Sequence, residues 1–143
     1  MFAFIDSQNL LCAARASGWE IDFGKFHIYL QEKFRVEKVF LFIGYLERNK
    51  NLYEKLERIG FVVIFKPTTS VKLNGETVTK GNVDAELVLH TMIQFPNFQH
   101  AILVTGDGDF YCLVHYLVEQ NKMCWLMVPN RARYSALFRP YMC

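Results

Sequence analysis

A chain of 143 residues, 52% hydrophobic and 15% aromatic, carries enough apolar material for one buried core and too much for a disordered segment. Its formal net charge of +2 neither demands nor excludes a polyanionic partner. No apolar stretch approaches the ~20 residues that span a bilayer, and "MFAFIDSQNL" has neither the basic nor the long apolar region of a signal peptide, so no membrane partner is expected.

Taken in chain order, short apolar runs alternate with longer amphipathic ones. "FAFI" (2–5) predicts a strand beginning almost at the first residue, and a helix is expected to begin after Asp22. "KVFLFIGY" (38–45) predicts the second strand. "NKNLYEKLERIG" (49–60) then predicts a helix with Leu52, Leu56 and Ile59 on its apolar side, Lys50, Glu54, Glu57 and Arg58 in water, and Gly60 as its stop. "FVVIFK" (61–66) is the third strand. "SVKLNGETVTKG" (70–81) breaks the alternation, because Asn74-Gly75 between two β-prone runs is a two-residue hairpin signal; a small antiparallel flap is expected there. "NVDAELVLHTMIQF" (82–95) predicts a helix, "AILVT" (101–105) a strand, and "DFYCLVHYLVEQN" (109–121) a helix whose apolar stripe is Phe110, Leu113, Val114, Leu117 and Val118. "MCWLMV" (123–128) is the last strand, followed by a less regular, arginine-containing tail over 129–143.

Near-continuous hydrophobicity in the strand segments is the mark of a parallel sheet covered on both faces. The expectation is therefore an α/β fold, a three-layer α/β/α sandwich with a central, mainly parallel sheet, forming one domain over residues 1–143. Cys12, Cys112, Cys124 and Cys143 contain no C-x-x-C pair, and no zinc-ligand spacing links them to His27, His90, His100 or His115. Free buried thiols in a reducing, cytoplasmic setting are expected rather than a disulfide framework.

Open parallel sheets bind ligands beyond the C-terminal ends of their strands, where strand order reverses. Asp6 ends the first strand, and Asp107 and Asp109 follow the one at 101–105. Asp84 enters at the start of the helix before that strand. Each has a structural alternative: Asp6 and Asp109 suit helix caps, Asp107-Gly108 suits a turn, and Asp84 suits the positive end of a helix. Four acids at one end of the sheet, however, repel one another and call for a cation. Carboxylate oxygens suit Mg²⁺ or Mn²⁺. Asp84 and Glu86 are two apart on a helix, about 200° around it, so only one faces the site; Asp84 is the expected one.

"FIDSQNL", then "KGNVDAELVLHTM", then "AILVTGDGDFYCLVHYL" together resemble the NYN domain, in its LabA-like branch, within the PIN-like nuclease superfamily. Ser7-Gln8 departs from the glycine that many relatives carry after the first acid. The resemblance implies a divalent-metal-dependent ribonuclease that hydrolyses RNA phosphodiester bonds, single-stranded or structured, and it allows a homodimer. It assigns Asp6, Asp84, Asp107 and Asp109 to the metal, with Asn9 beside them as a catalytic residue. Asn9, Lys80, Thr105, Arg131 and Arg133 are the residues expected to meet the RNA, with Lys66, Lys72 and Arg139 as further phosphate contacts and Trp19, Tyr111 and Tyr134 as candidate base-stacking rings. A receiver domain lacks its acceptor acid in "FVVIFKPTT", and a Toprim domain would need Glu where Asp6 stands. The remaining alternatives are a non-catalytic PIN-like scaffold for RNA or protein, and a toxin-type nuclease controlled by a partner.

Overall fold

The computed structural model of the chain describes residues 1–18, 20–67, 69–80 and 83–142. Trp19, the "GN" of "KGNVD" and Cys143 lie outside the described residues, as do the side chains of Lys72, Lys80 and Cys124. In chain order the elements are β1 (Phe2–Asp6), α1 (Ser7–Ala16), α2 (Phe23–Phe34), β2 (Lys38–Tyr45), α3 (Lys50–Ile59), β3 (Val62–Pro67), β4 (Thr69–Leu73), β5 (Glu76–Lys80), α4 (Asp84–Gln94), β6 (Ala101–Val104), α5 (Tyr111–Glu119) and β7 (Met123–Met127).

Five strands form one all-parallel sheet in the order β3-β2-β1-β6-β7. The chain starts in the middle, builds outward through β2 and β3, then returns to lay β6 and β7 on the other side. The reversal falls between β1 and β6, which pair as far as Ile5 with Val104. Both strands therefore end side by side where a doubly wound sheet opens a crevice.

Period-two alternation decides what each face covers. Phe2, Phe4, Phe40, Phe42 and Leu103 pack with Leu87 of α4 and with Leu113, Val114 and Leu117 of α5. Ala3, Ile5, Val39, Leu41, Ile102 and Val104 pack with Leu10 of α1, Leu30 of α2 and Leu56 of α3. Both faces of the central strands are thus apolar, which is why their sequences read as unbroken hydrophobic runs. Phe4 lies at the centre, stacked on Phe40 at 5.2 Å between ring centroids.

Local signals account for the helix limits. Asp22 caps α2 by accepting from the Lys25 N–H at 3.0 Å. Gly60 ends α3 at φ 121°, and any Cβ there would also meet the His27 ring at 3.1 Å, so glycine is needed twice over. On α3 the charged residues face water as expected, but Tyr53 is buried beside Leu56, its hydroxyl accepting from the Leu46 N–H at 2.9 Å and donating to the Gly44 carbonyl at 3.1 Å. On α5 the expected stripe holds for Phe110, Leu113, Val114 and Leu117, whereas Val118 is exposed: eight positions from Phe110, it has rotated past the edge of the stripe.

The hairpin expected over 70–81 forms as a two-stranded antiparallel sheet of its own, with Asn74 and Gly75 in the left-handed conformation at its turn. It joins no strand of the main sheet, and nothing in the described residues marks it as a flap. The thiol expectation needs correction: Cys12 and Cys112 are free but exposed, because they fall on the water-facing sides of α1 and α5. No helix among the described residues is long and apolar enough to cross a membrane.

Candidate metal centre

Asp6 closes β1 and opens α1, and both roles fix its side chain. As the helix cap it accepts from the Asn9 N–H through Oδ1 at 3.2 Å. Its other oxygen accepts from the Thr105 hydroxyl at 3.1 Å, across the β1–β6 seam. Only 4% of Asp6 is exposed. Next to it the Ser7 hydroxyl donates to the Phe42 carbonyl at 2.6 Å, so a small side chain at position 7 ties α1 to β2.

The loop after β6 is held from both sides. Thr105 Oγ1 accepts from the Asp107 N–H at 3.1 Å, and Asn9 Oδ1 accepts from the Gly106 N–H at 2.9 Å. Asp107 Oδ1 accepts from the Asp109 N–H at 2.9 Å and so caps the short 3-10 turn of residues 108–110 that leads into α5. Above the loop lies the C-terminal tail, whose Ser135 N–H donates to the Gly106 carbonyl at 3.0 Å. A Cβ on Gly108 would overlap Ser135, whose own Cβ would stand only 2.9 Å away, so the second glycine of "TGDGD" makes room for the tail.

These constraints bring Asp6, Asp84 and Asp107 together. One carboxylate oxygen from each lies within 4.8 Å of the others, although the three residues come from a strand end, a helix start and a loop. Asp84 and Asp107 are half-buried. The three line an open cleft of about 260 Å³ with Gln8, Asn9 and Cys12. Burial raises the Asp6 pKa most, the Asn9 and Thr105 hydrogen bonds lower it, and the charges of Asp84 and Asp107 raise it again, to about 6. The first residues of α1 and α4 lie at this cleft, and their positive helix ends favour anions there.

Several expected site residues stand elsewhere. Asp109 is exposed and outside the three-carboxylate group, and its backbone N–H donates to Asp107 Oδ1. Thr105 is fully buried beneath the cleft, where it positions Asp6 and the Asp107 backbone instead of meeting solvent. Glu86 stays outside the three-carboxylate group, as expected, and pairs with Lys66 of β3 at 3.5 Å, which occupies that lysine. Arg131 lines a different groove, against β7, and Arg133 is exposed in the turn of residues 130–133. Tyr111 stacks on His115 at 5.7 Å, and half-buried Tyr134 packs against the core below the tail. Gln8 and Cys12 were not anticipated; four apart on α1 and starting two residues after Asp6, they share the helix face that the cap turns toward the cleft.

The model of the NYN domain family matches residues 2–139. No curated protein matches the chain. Among solved structures, a protein of unknown function from Vibrio parahaemolyticus is similar over 94% of each chain, with a TM-score of 0.73 and 20% identity. That likeness shows a shared fold. The chain belongs to the NYN domain family, a family of PIN-like nucleases, and carries the acidic cluster Asp6, Asp84 and Asp107.

Proposed function

We propose that this NYN-domain protein is a divalent-metal-dependent ribonuclease, hydrolysing RNA phosphodiester bonds at the cleft between the ends of β1 and β6. The observation that carries the reading is the convergence of three carboxylates from separate parts of the chain to within 4.8 Å, with one of them buried. Opposite ligands of Mg²⁺ stand about 4.2 Å apart, twice its bond length, so small side-chain movements suffice for Asp6, Asp84 and Asp107 to share one ion. Hard oxygen donors with no sulfur or imidazole among the three favour Mg²⁺ or Mn²⁺. Such an ion would supply charge neutralisation at a phosphate and a more acidic water for attack on phosphorus.

The chain's own residues have distinct tasks in this reading. Asp6 and Asp107 are held by Thr105, Asn9 and the Asp109 N–H, so two of the three carboxylates are oriented before the ion arrives. Asn9 uses Oδ1 on Gly106, which leaves its Nδ2 donors for a phosphate oxygen at the cleft. Asp109 supports Asp107 through its N–H. Lys80, Arg131 and Arg133 are assigned to RNA phosphates beyond the cleft.

The test is cleavage of a mixed RNA pool with Mn²⁺, with Mg²⁺ and with EDTA, comparing wild type with Asp6→Asn and Asp107→Asn. Metal-dependent cutting that disappears in both variants is expected. Cutting that survives both substitutions, or proceeds in EDTA, would refute the assignment. RNA binding without cutting under any of these conditions would instead favour the non-catalytic scaffold.

A further inference from the structure

A second groove, of about 310 Å³, lies against β7, one of the two edge strands of the sheet. Tyr29, Lys33 and Phe34 of α2 line it together with Trp125 of β7 and Arg131 of the tail. The rings make a continuous series: Phe34 meets Tyr29 edge-on at 5.8 Å and Trp125 edge-on at 5.9 Å. Lys33 Nζ sits over Tyr29 at 5.3 Å and over Phe34 at 5.6 Å. Tyr29 and Trp125 both remain 43% exposed, so the series is not consumed by packing. Among the described residues, two cations and no acidic side chain line the groove.

We infer that this groove binds the bases of a single-stranded RNA whose scissile phosphate lies at the acidic cleft. Exposed ring faces suit flat, uncharged bases, and the two cations suit the phosphates between them; nucleic acid without a complementary strand offers both. An apolar peptide would leave Lys33 and Arg131 unpaired. A second copy docked through the same groove would set this pair of cations against an identical pair.

Position connects the two sites. Arg131 sits in a turn held by Asn130, whose Oδ1 accepts from the Ala132 N–H at 2.9 Å and whose carbonyl accepts from the Arg133 N–H at 3.1 Å. Two residues later the same segment lies on Gly106 and Gly108 of the acidic loop. From β1, which ends in Asp6, to β7 is two strand spacings, roughly 10 Å, and Trp125 is level with Ala3, three residues or roughly 10 Å before Asp6 along the sheet, a span of a few nucleotides. One strand of RNA can thus occupy cleft and groove together. The path of that strand rests on the nuclease reading; the chemistry of the groove does not.

The test is fluorescence anisotropy of a labelled twelve-nucleotide oligouridine in EDTA, where nothing is cut, at several salt concentrations. Trp125→Ala is expected to weaken binding roughly 5- to 100-fold through one lost stacking partner, with Trp125→Phe retaining most of it. Lys33→Ala with Arg131→Ala, both exposed and so harmless to folding, is expected to flatten the slope of log affinity against log salt by about 1.4. The thermal shift produced by Mn²⁺ should be unchanged in all of these variants, since none touches the carboxylates. Unaltered affinity and salt slope in both the Trp125→Ala and the double-charge variant would overturn the inference, even if wild type cuts RNA through its acidic cluster. A dimer that dissociates on Trp125→Ala while oligouridine affinity stays constant would also overturn it, in favour of a second copy. Groove-dependent binding by a wild type that cuts nothing with Mn²⁺ would uphold the groove and refute the nuclease reading alone.

Discussion

Replacing Asp6 by Asn should make the protein more stable and inactive at once. The Asp6 carboxyl has a pKa of about 6 in the folded chain against 3.8 for an ordinary aspartate, a rise of about 2 units caused first by burial and then opposed and reinforced by its neighbours. At 1.36 kcal/mol per unit, ionised Asp6 costs the folded state about 3 kcal/mol at neutral pH. The sign follows from proton affinity. The folded state holds this proton more tightly than the unfolded one, so the contribution of Asp6 to stability falls as pH rises from about 4 to about 6 and is level above that. Asparagine carries no charge at any pH. Its Oδ1 still accepts from the Asn9 N–H, while the Thr105 hydroxyl loses an acceptor, a cost of about 1 kcal/mol. The net gain at pH 7.5 in EDTA is about 2 kcal/mol, or roughly 5–8 °C in Tm for a chain of this length. Thermal melts of both proteins at pH 7.5 and pH 4.5 read it directly. The gain should shrink or vanish at the lower pH. Mn²⁺ at a hundred times its Kd should raise wild type by about 2.7 kcal/mol and leave the variant unmoved. An Asp6→Asn protein that is less stable than wild type at pH 7.5 in EDTA, or equally stabilised at both pH values, would refute the claim that the cluster is electrostatically strained.

Other substitutions separate the parts of the site. Thr105→Val removes the hydroxyl between Asp6 and the Asp107 N–H, so it should destabilise by about 1–3 kcal/mol and weaken Mn²⁺ binding roughly 10- to 100-fold, as read by calorimetric titration. Asp107→Asn should abolish the Mn²⁺-induced thermal shift, whereas Asp109→Asn, which keeps the backbone N–H that Asp107 uses, should preserve most of it; equal loss in both would place Asp109 among the ligands after all. Gly108→Ala should lower Tm and loosen metal binding because its Cβ collides with Ser135, and adding Ser135→Gly should restore both; failure of that rescue in thermal melts would show that the tail does not act through this contact.

What could be read from the residues and what could not divides along the range of the contacts. The central strands β1, β2 and β6 announce themselves because burial on two faces leaves continuous apolar runs, and the ends of β1 and β6 then carry Asp6 and Asp107 to one edge without further information. The separation of Asp107 from Asp109 was not legible, since in "DGD" either acid could cap the following turn. Asp107 takes that role by accepting from the Asp109 N–H, and the second acid is left exposed. Thr105 was expected to meet RNA, and its buried role was hidden because its partner Asp6 is ninety-nine positions away. The seating of Ser135 on Gly106 and Gly108 is likewise tertiary: nothing near either glycine in sequence distinguishes a turn from a packed crossing. Gln8 and Cys12 were missed for a local reason. Had α1 been drawn from its cap at Asp6, the four-residue spacing would have placed both on the cleft side.

Asp6 shows how a structural and a functional reading of one residue differ in what they require. As a helix cap it needs one acceptor for the Asn9 N–H, and asparagine would serve as well. As a partner of Thr105 across the β1–β6 seam it supplies an acceptor to one neutral hydroxyl, which asparagine gives up at a cost of only about 1 kcal/mol. Neither task calls for a buried charge, and the two other carboxylates within 4.8 Å make that charge a liability for folding. A bound divalent cation reverses the balance, because its attraction to all three carboxylates outweighs their repulsion of one another. Folding therefore accounts for a polar residue at position 6, and the binding of a cation accounts for its being an aspartate.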